Sequence, residues 1–414
     1  RFTIIKNFVP MLVLEIATGI GFSMLGKYFP GIKETLMDDK ALQFIHGGTL
    51  FGVLLYMMTT GAEMIEDQEH SEGTNGNGNS WSFWVLSSTS MFCPMTLGCL
   101  SGYLLWLYFP QLRGERTMHS PFLFVFAGGL CAGITAITVM SRILFEMGLL
   151  HTRLGKYALR CATPHDFWLW ALLTVLFAYL GNQHSSISPA SALLLTGVFV
   201  GVMWFIVRKL LKWYLTTKDY EQLTLVEKLK FLIIISFSCG FITHWLGVHY
   251  PLGAVMLGVI LPKEMREEVK KFIQPFILAL LVPAFFGSAG LTVSFSLSDP
   301  GPYLVTGAML VSMTLGHLVG TVVIAKYVAK FEWLDSFSLG SLMLCKGIVE
   351  LYVGGELLKA GVISDAAYAG LAMFAIVANM GTKPLLSYLL GREAVNQLQH
   401  ISATERLDVS GEAA

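Results

Sequence analysis

Residues 127–138 read AGGLCAGITAIT, an apolar run that glycine and threonine interrupt, and residues 336–347 read SFSLGSLMLCKG in the other half of the chain. Glycine and threonine are weaker helix formers than alanine or leucine. In membrane proteins, weak helices at corresponding places in two halves indicate inverted repeats whose broken helices meet near the middle of the bilayer. The sequence therefore predicts two crossed broken helices, at about 121–147 and 335–358.

The composition around these runs is that of a membrane protein. Mean hydropathy is +0.62, 54% of the 414 residues are hydrophobic and 14% are charged, against roughly 25% charged in soluble domains. About a dozen apolar stretches have the ~20 residues that cross a bilayer core. We therefore expect an all-α polytopic membrane protein with twelve visible spans, at about 8–29, 41–64, 81–108, 121–147, 164–181, 189–211, 228–245, 250–262, 272–291, 302–326, 335–358 and 364–390.

Lysine and arginine in the short connections predict the orientation. They cluster at 151–160, 208–230, 263–271 and 326–330, and the connections between these carry neither residue. Because cytoplasmic loops are enriched in Lys and Arg, we expect both visible ends in the cytoplasm, and we expect the membrane to be a bacterial inner membrane. Residues 66–80 do not fit this pattern, since the order of the spans places them in the cytoplasm and yet they contain no Lys or Arg.

Charge and cysteine usage exclude several classes of protein. Basic and acidic residues balance at 28 each, and no basic patch with interleaved aromatics stands out, which argues against a nucleic-acid partner. The six cysteines lack the spacing of a metal site or a disulfide framework, so we expect small packing residues. The chain begins at Arg1 rather than methionine, which leaves room for a thirteenth helix ahead of it.

Ionisable side chains inside the apolar spans are few, and each costs at least a few kcal/mol unless it has a partner, a water-filled cavity or a function. They are Glu15, Arg142, Glu146, His165, Asp166, His317, Lys346 and Glu350. Arg142 with Glu146, and Lys346 with Glu350, are each four positions apart, so each pair shares a helix face and can form an ion pair. Mutual neutralisation explains these pairs as well as a functional role does.

Asp166 has no Lys or Arg beside it in its own helix. One interpretation makes it a residue of the helix N-terminus, because Pro164 suits a first turn and Asp is favoured there. The other makes it an intramembrane carboxylate that alternately holds a proton and a hard cation such as Na⁺, which oxygen ligands suit. His165 beside it also titrates near neutral pH.

Three stretches together resemble a known family. TAITVMSRILFEMGLLHTRLGKYALRCATPHDFWLW (135–170), YPLGAVMLGVILPKEMREEVKKFIQPFILALLVPAFFGSAGL (250–291) and GSLMLCKGIVELYVGGELLKAGVIS (340–364) are similar to helices of the monovalent cation:proton antiporter-2 family. They match its broken fourth and carboxylate-bearing fifth helices, its amphipathic linker with a Pro-Phe-Phe helix, and its broken eleventh helix. The resemblance runs from about residue 8 to residue 390.

The resemblance implies a homodimer in which an ion-binding core slides against a dimerisation scaffold, an elevator-type movement. It assigns residues 1–392 to this membrane domain and leaves 393–414 as a polar cytoplasmic tail, which many members continue into a regulatory domain. The expected partners are the lipid bilayer, the cation, the proton and a second copy of the chain.

The resemblance also implies roles for single residues. Asp166 matches the second carboxylate of the family's Asp-Asp pair, and Thr135 matches the threonine of the fourth-helix crossover, with Thr138 close by as a further oxygen ligand. Lys346 and Glu350 match the basic and acidic positions of the eleventh helix. The remaining charged pair, Arg142 and Glu146, is expected to join the same supporting network.

Two positions depart from the family pattern. His165 stands where the family has its first Asp, and His317 stands where electrogenic members have a tenth-helix lysine. The change removes one buried negative and one buried positive charge and leaves at most one side-chain negative charge for the cation. The resemblance to one-carboxylate relatives then favours electroneutral exchange of one cation for one proton. Two facing histidines repel each other when both are protonated, so we expect activity to rise with pH.

The leading hypothesis is a secondary active antiporter, not an enzyme, that exchanges Na⁺ or K⁺ for H⁺ with Asp166 as the carrier. It needs no cofactor, and no metal beyond the transported cation. One alternative keeps the fold and carries an organic ion or a metabolite, which Phe167, Trp168 and Trp170 after Asp166 motivate. The others are an antiporter-like scaffold that acts as a membrane enzyme through general acid-base groups, or as a sensor.

Overall fold

The computed structural model describes residues 11–28, 47–49, 51–63, 80–149, 152–180, 188–216, 223–247, 250–293 and 298–391. These residues are mostly α-helical, and strand pairing among them is limited to one isolated bridge between Arg113 and Ile363. The predicted all-α class is therefore confirmed.

The described helices overlap every predicted span. In the first half they are α1 Met11–Tyr28, α2 51–63, α3 Ser80–Tyr108, α4 Phe122–Gly133, α5 Ile137–Glu146, α6 Arg153–Leu180 and α7, which runs from Pro189–Val202 through a π turn at Met203–Val207 into Arg208–Thr216. In the second half they are α8 Leu225–Trp245, α9 Pro251–Ile260, α10 Lys263–Leu291, α11 Gly301–Tyr327, α12 Trp333–Leu342, α13 Ile348–Lys359 and α14 Asp365–Leu390.

Local sequence sets several helix starts. The Thr224 hydroxyl accepts the N–H of Glu227, and the Glu227 carboxylate accepts the N–H of Thr224 at 2.8 Å, so the two residues cap α8 reciprocally. Ser188 caps α7 just ahead of Pro189, and Ser364 caps α14. Ser and Thr are favoured at these positions because a side-chain oxygen satisfies a backbone N–H that the helix leaves unpaired.

Helix α6 corrects two predictions. It begins at Arg153 rather than near residue 164, so most of the basic connection at 151–160 is helical. Pro164 therefore lies inside the helix, and Asp166 is not in a first turn, which removes the capping interpretation. Membrane helices tolerate an internal proline where neighbouring helices supply hydrogen bonds. In the turn before Pro164, Ser87 of α3 donates its hydroxyl to the carbonyl of Cys161 at 2.8 Å and ties α6 to α3.

Helix α10 corrects a third prediction. The charged stretch at 263–271, expected as a connection, is the first part of one helix that continues to Leu291. Lys263 and Glu267 approach to 4.0 Å across one turn, the spacing at which opposite charges support a helix. Two π turns, at Val269–Ile273 and Ile277–Leu281, adjust its winding.

Five described helices are long and apolar enough to cross a membrane by length and composition: Trp81–Tyr108, Ala190–Leu215, Lys263–Leu291, Gly301–Tyr327 and Asp365–Leu390. Shorter apolar helices occur at Val13–Ser23, Phe122–Gly133 and Pro251–Ile260. The total of twelve or thirteen spans stays a prediction, and the tail at 393–414 lies outside the described residues.

The chain divides into two compact units. Unit 1 comprises residues 1–20, 74–169 and 289–414, and unit 2 comprises residues 21–73 and 170–288.

Close glycine contacts hold unit 1 together around α3. A Cβ added at Gly133 of α4 would lie 2.8 Å from the Cβ of Met95, and one at Gly316 of α11 would collide with Pro94. Small residues of this kind let membrane helices approach closely. Helices α4 and α11 therefore both pack directly on α3.

Unit 2 packs in a similar way. A Cβ at Gly258 of α9 would collide with the backbone of Met58 in α2. A salt bridge of 3.0 Å between Lys228 and Glu268 joins α8 to α10.

Candidate functional site

Two helices of unit 1 are interrupted where the sequence predicts breaks. Residues 134–136, break 1, separate α4 from α5, and residues 343–347, break 2, separate α12 from α13. An interrupted helix leaves carbonyls without partners at one end and N–H groups without partners at the other. Inside a membrane these groups need partners from the protein.

Break 1 and break 2 satisfy part of this need by bonding to each other. The hydroxyl of Thr135 donates to the carbonyl of Met343 at 2.8 Å, and the N–H of Ala136 donates to the carbonyl of Cys345 at 2.9 Å. Thr135 and Cys345 are fully buried. The two predicted interruptions are therefore present and in contact, and their crossing as inverted repeats stays a prediction.

Lys346 places a positive charge at the end of α4. Its side chain is 0% exposed, and Nζ donates to the carbonyl of Ala132 at 3.0 Å and to that of Ile134. These carbonyls lie at the C-terminal end of α4, where the helix dipole is negative. The ring of Phe374 adds a cation–π contact, 5.7 Å from Nζ to the ring centroid. The buried ammonium is thus hydrogen-bonded to two backbone oxygens.

Glu350 has the opposite role at the start of α13. Its Oε2 accepts the N–H of Gly347 at 2.7 Å, and a carboxylate is favoured at a helix N-terminus. Its Oε1 is buried and has no hydrogen-bond partner in the described part of the chain. Lys346 and Glu350 form no direct salt bridge among the described residues, which corrects the predicted ion pair. The prediction assumed a continuous helix, and break 2 ends just before α13.

Asn379 of α14, which the sequence analysis missed, holds the backbone of Lys346. Its Oδ1 accepts the N–H of Lys346 at 3.0 Å, and its Nδ2 donates to the carbonyl of Lys346 at 2.8 Å and to that of Ala375 at 2.9 Å. A search for ionisable residues passes over a neutral amide. Burying an amide in an apolar helix still costs free energy unless it is hydrogen-bonded, and that cost is the signal that could have found it.

The predicted pair of Arg142 and Glu146 is confirmed, with 3.5 Å between Nε and Oε1. The other carboxylate oxygen of Glu146 pairs with Lys383 of α14 at 2.8 Å, a partner that the sequence analysis also missed. Glu15 of α1 lies within electrostatic range of Arg142. Helix α14 therefore contacts α5 through Lys383 and break 2 through Asn379.

His165 is buried against α3 with 1% of its surface exposed. Its Nε2 lies 2.9 Å from the carbonyl of Ser87 and 2.7 Å from the hydroxyl of Ser90. Because a carbonyl can only accept, Nε2 carries the proton of the neutral ring and Nδ1 keeps a lone pair. Nδ1 is buried, and no described residue hydrogen-bonds to it. His165, next to Asp166 in the chain, thus has one ring nitrogen without a hydrogen bond to any described residue.

His317 lies on α11 just ahead of a π turn at Leu318–Val323, a feature that often marks functional sites. Its Nδ1 lies 3.2 Å from the hydroxyl of Thr321, and its Nε2 is buried without a hydrogen-bond partner among the described residues. Lys346 and His165 lie within electrostatic range of it. Direct contact between the two histidine rings stays a prediction.

The backbones of Thr138 and Asp166 belong to α5 and α6, but their side chains lie outside the described residues. The described groups include hydroxyl and carbonyl oxygens, the Lys346 ammonium, the Glu350 carboxylate and the imidazoles of His165 and His317. Oxygens of this kind suit a hard cation, and imidazole and carboxyl groups can take up or release protons. These groups therefore have the chemistry to bind a hard cation and to take up or release a proton.

Comparison with known proteins gives matches to a family model and to named proteins, of which two are described here. A family model described as "Sodium/hydrogen exchanger, transmembrane" matches residues 1–388. The Na⁺/H⁺ antiporter NhaS4 of Synechocystis sp. is 28% identical over 388 residues, which cover 91% of this chain and 90% of that protein. K⁺/H⁺ antiporter 1 of Saccharomyces cerevisiae is 26% identical over 390 residues, which cover 91% of this chain and 43% of that protein.

A solved structure also matches. The sodium proton antiporter MjNhaP1 from Methanocaldococcus jannaschii, solved at pH 8, has a TM-score of 0.54 at 14% identity, with 95% of each chain covered. At this level of identity the match shows a shared fold. The chain spans less than half of the yeast relative's length.

Proposed function

Because the chain belongs to the sodium/hydrogen exchanger transmembrane family, we propose that it exchanges Na⁺ or K⁺ for H⁺ across a membrane, with Asp166 carrying the ion and the proton in turn. The main supporting observation is the hydrogen-bonded contact between break 1 and break 2. Lys346 neutralises the end of α4 there, and Glu350 neutralises the start of α13. Paired half-helix ends of this kind are suited to hold an ion within a bilayer.

Oxygen ligands for the cation come from residues close to break 1. Thr135 donates its proton to Met343, but its oxygen keeps lone pairs that can contact a cation. In the proposal, Thr138 and Asp166 supply further oxygens. The printed names of the relatives include both Na⁺ and K⁺ antiporters, so either cation fits.

The proton reaches the same site by competition. A carboxylate in a desolvated setting binds a proton more readily, so cation and proton exclude each other at Asp166. His165 brings no negative charge where a second Asp would, so one carboxylate balances either one cation or one proton. Exchange should therefore be electroneutral, and an imposed membrane potential should leave its rate unchanged.

Protonation of the histidines should oppose exchange at acid pH. His317 already lies within electrostatic range of the Lys346 ammonium and of His165. Adding protons to both rings would place further positive charge near a cation site and repel the cation. We therefore expect the exchange rate to rise with pH.

The proposed assembly is a homodimer in a bacterial inner membrane, with both visible ends of the chain in the cytoplasm. The described site residues all belong to unit 1, which supports a role for that unit as the ion-binding core of an elevator-type exchanger. The relatives named above are antiporters, which agrees with a transporter rather than an enzyme.

Proteoliposomes with an imposed pH gradient test the proposal. Wild-type protein should dissipate the gradient when Na⁺ or K⁺ is added, and Asp166→Asn should slow this at least ~100-fold because a proton carrier is lost. Thr174→Val is the matched control, since the Thr174 hydroxyl bonds the Trp170 carbonyl of its own helix. A wild-type rate in Asp166→Asn would disprove the carrier. No response to Na⁺, K⁺, Li⁺ or Rb⁺ would disprove monovalent cation exchange.

A further inference from the structure

Helix α14 contacts both broken helices from one face. Asn379 and Lys383 are four positions apart and so lie on the same side of the helix. Asn379 bonds the backbone of Lys346 in break 2, and Lys383 pairs with Glu146 at the end of α5. Unlike Lys383, Asn379 carries no charge, so it acts on break 2 through the hydrogen bonds that position the Lys346 backbone.

We propose that Asn379 is a positioning residue that sets the affinity for the transported cation. It fixes the peptide groups on both sides of the Lys346 Cα, and thereby places the Lys346 ammonium on the carbonyls that end α4. This inference rests on the proposed exchange of a monovalent cation for a proton.

The hydrogen bonds of break 2 show why Lys346 needs this partner. The carbonyls of Met343 and Cys345 are taken by break 1, and the N–H of Gly347 is taken by Glu350. The N–H and the carbonyl of Lys346 bond to one side chain, that of Asn379. Without it, a buried donor and a buried acceptor would lose their described partner, and the backbone of break 2 could rotate to find others.

The chemistry of the amide matches this task. A side-chain amide offers an acceptor oxygen and two donor hydrogens. The oxygen takes the Lys346 N–H, one hydrogen goes to the Lys346 carbonyl, and the second goes to Ala375, one turn earlier in α14. The bond to Ala375 fixes the orientation of the amide, so that its oxygen faces the N–H of Lys346 and its nitrogen faces the carbonyl of Lys346.

The link to affinity follows from where the ammonium lies. Lys346 Nζ contacts Ala132 and Ile134, and Ile134 is the first residue of break 1, directly before Thr135. If the backbone of Lys346 moves, the ammonium and the oxygens near Thr135 lose their fixed spacing. A less preorganised site binds its ion more weakly.

Cation-dependent proton flux in proteoliposomes, measured as KM and maximal rate, tests the inference with two variants of similar volume. Asn379→Leu removes the acceptor and both donors, and we expect KM for the cation to rise about tenfold or more. Asn379→Asp keeps an acceptor for the Lys346 N–H and should give a smaller rise. In both, the maximal rate should fall less than KM rises.

The control is Thr196→Val, which removes a buried hydroxyl that bonds the Ala192 carbonyl of its own helix in unit 2. It should keep the wild-type KM. Melting temperature in detergent, measured without the cation, shows whether each variant is folded. If Asn379→Leu fails to fold, Asn379→Asp decides the outcome.

A folded Asn379 variant with a lowered melting temperature and a wild-type KM would overturn the inference, because a purely structural residue behaves in that way. Failure of the proposed function looks different. In that case wild-type protein in the same vesicles shows no cation-dependent proton flux, and no variant needs to be compared.

Discussion

Break 1 and break 2 are both interruptions of a helix, yet they meet the demands of burial in different ways. Break 1, residues 134–136, carries no charge, and its polar groups bond to break 2. Break 2, residues 343–347, carries Lys346, is followed by Glu350 in the first turn of α13, and is held by Asn379 of α14. The carbonyls at the end of α4 and in break 1 therefore depend on Lys346 of break 2 for a positive charge.

The difference indicates a division of labour. The end of α4 needs a positive charge and receives it from Lys346, which comes from a different broken helix. The Thr135 hydroxyl of break 1 donates to Met343 in break 2 and keeps lone pairs on an uncharged oxygen, the kind of ligand that suits a hard cation.

The largest expected effect comes from removing the charge that break 2 provides. Lys346→Met leaves the carbonyls of Ala132 and Ile134 without their cation and Glu350 without a nearby positive charge. We expect a loss of about 3–5 kcal/mol in the free energy of unfolding, as for other buried charges that lose a partner, together with loss of exchange. Thermal unfolding in detergent and proteoliposome flux measure both.

Two further variants sharpen this test. Lys346→Arg keeps the charge and should retain most of the stability. Adding Glu350→Gln to Lys346→Met removes the uncompensated negative charge and should recover part of the stability without restoring exchange. Equal stability of Lys346→Met and wild type would show that α4 does not need the charge.

The contact between the two breaks gives the next effect. A Cβ at Gly347 would lie 2.6 Å from the Cβ of Ala136, so Gly347→Ala forces break 2 away from break 1. We expect a loss of about 1–3 kcal/mol, typical of overpacking, measured as a lower melting temperature. Gly355→Ala on the same helix is the control, because a Cβ there meets no atom within 4 Å. A melting temperature of Gly347→Ala equal to that of wild type would show that break 2 can move away from break 1 without a loss of stability.

The hydroxyl of Thr135 gives a smaller effect. Thr135→Val keeps the shape of the side chain but leaves the carbonyl of Met343 without this donor, which should cost about 1 kcal/mol of stability. Thr135→Ser keeps the hydroxyl and should remain close to wild type. If Thr135 also contacts the cation, KM rises in Thr135→Val and stays near wild type in Thr135→Ser. An unchanged KM in both would restrict Thr135 to its structural bond.

The smallest effect is expected at the edge of the network. Arg142 is 47% exposed at its side chain, and Glu146 keeps Lys383 when Arg142 is removed. Arg142→Gln should therefore change stability by less than about 1 kcal/mol. Lys383→Met should cost more, since the Lys383 side chain is 9% exposed. A larger loss at Arg142 than at Lys383 would reverse the assignment of the main partner of Glu146.

Sequence and structure disagree at the start of α6 and in the relation between Lys346 and Glu350. Patterns of hydropathy place helices to within a few residues in most of the chain, but the basic residues before Pro164 were interpreted as a loop, and they are helical. The spacing of Lys346 and Glu350 predicted an ion pair, and break 2 directs the two side chains to different helix ends. At break 2, Lys346 bonds to the end of α4 and Glu350 to the start of α13, and no local pattern records these contacts.

Composition alone was enough to identify an all-α membrane protein, because a continuous run of apolar residues in a bilayer has no stable alternative to the α-helix. Small and polar residues within two of these runs were enough to locate the breaks, since they weaken a helix wherever they occur. Which groups neutralise the broken ends was decided by tertiary structure. Lys346 reaches Ala132, and Asn379 reaches Lys346, across more than 200 and more than 30 residues of chain respectively. Such pairs exist only after the helices have packed, since a buried polar group takes whichever partner the fold brings within hydrogen-bonding distance.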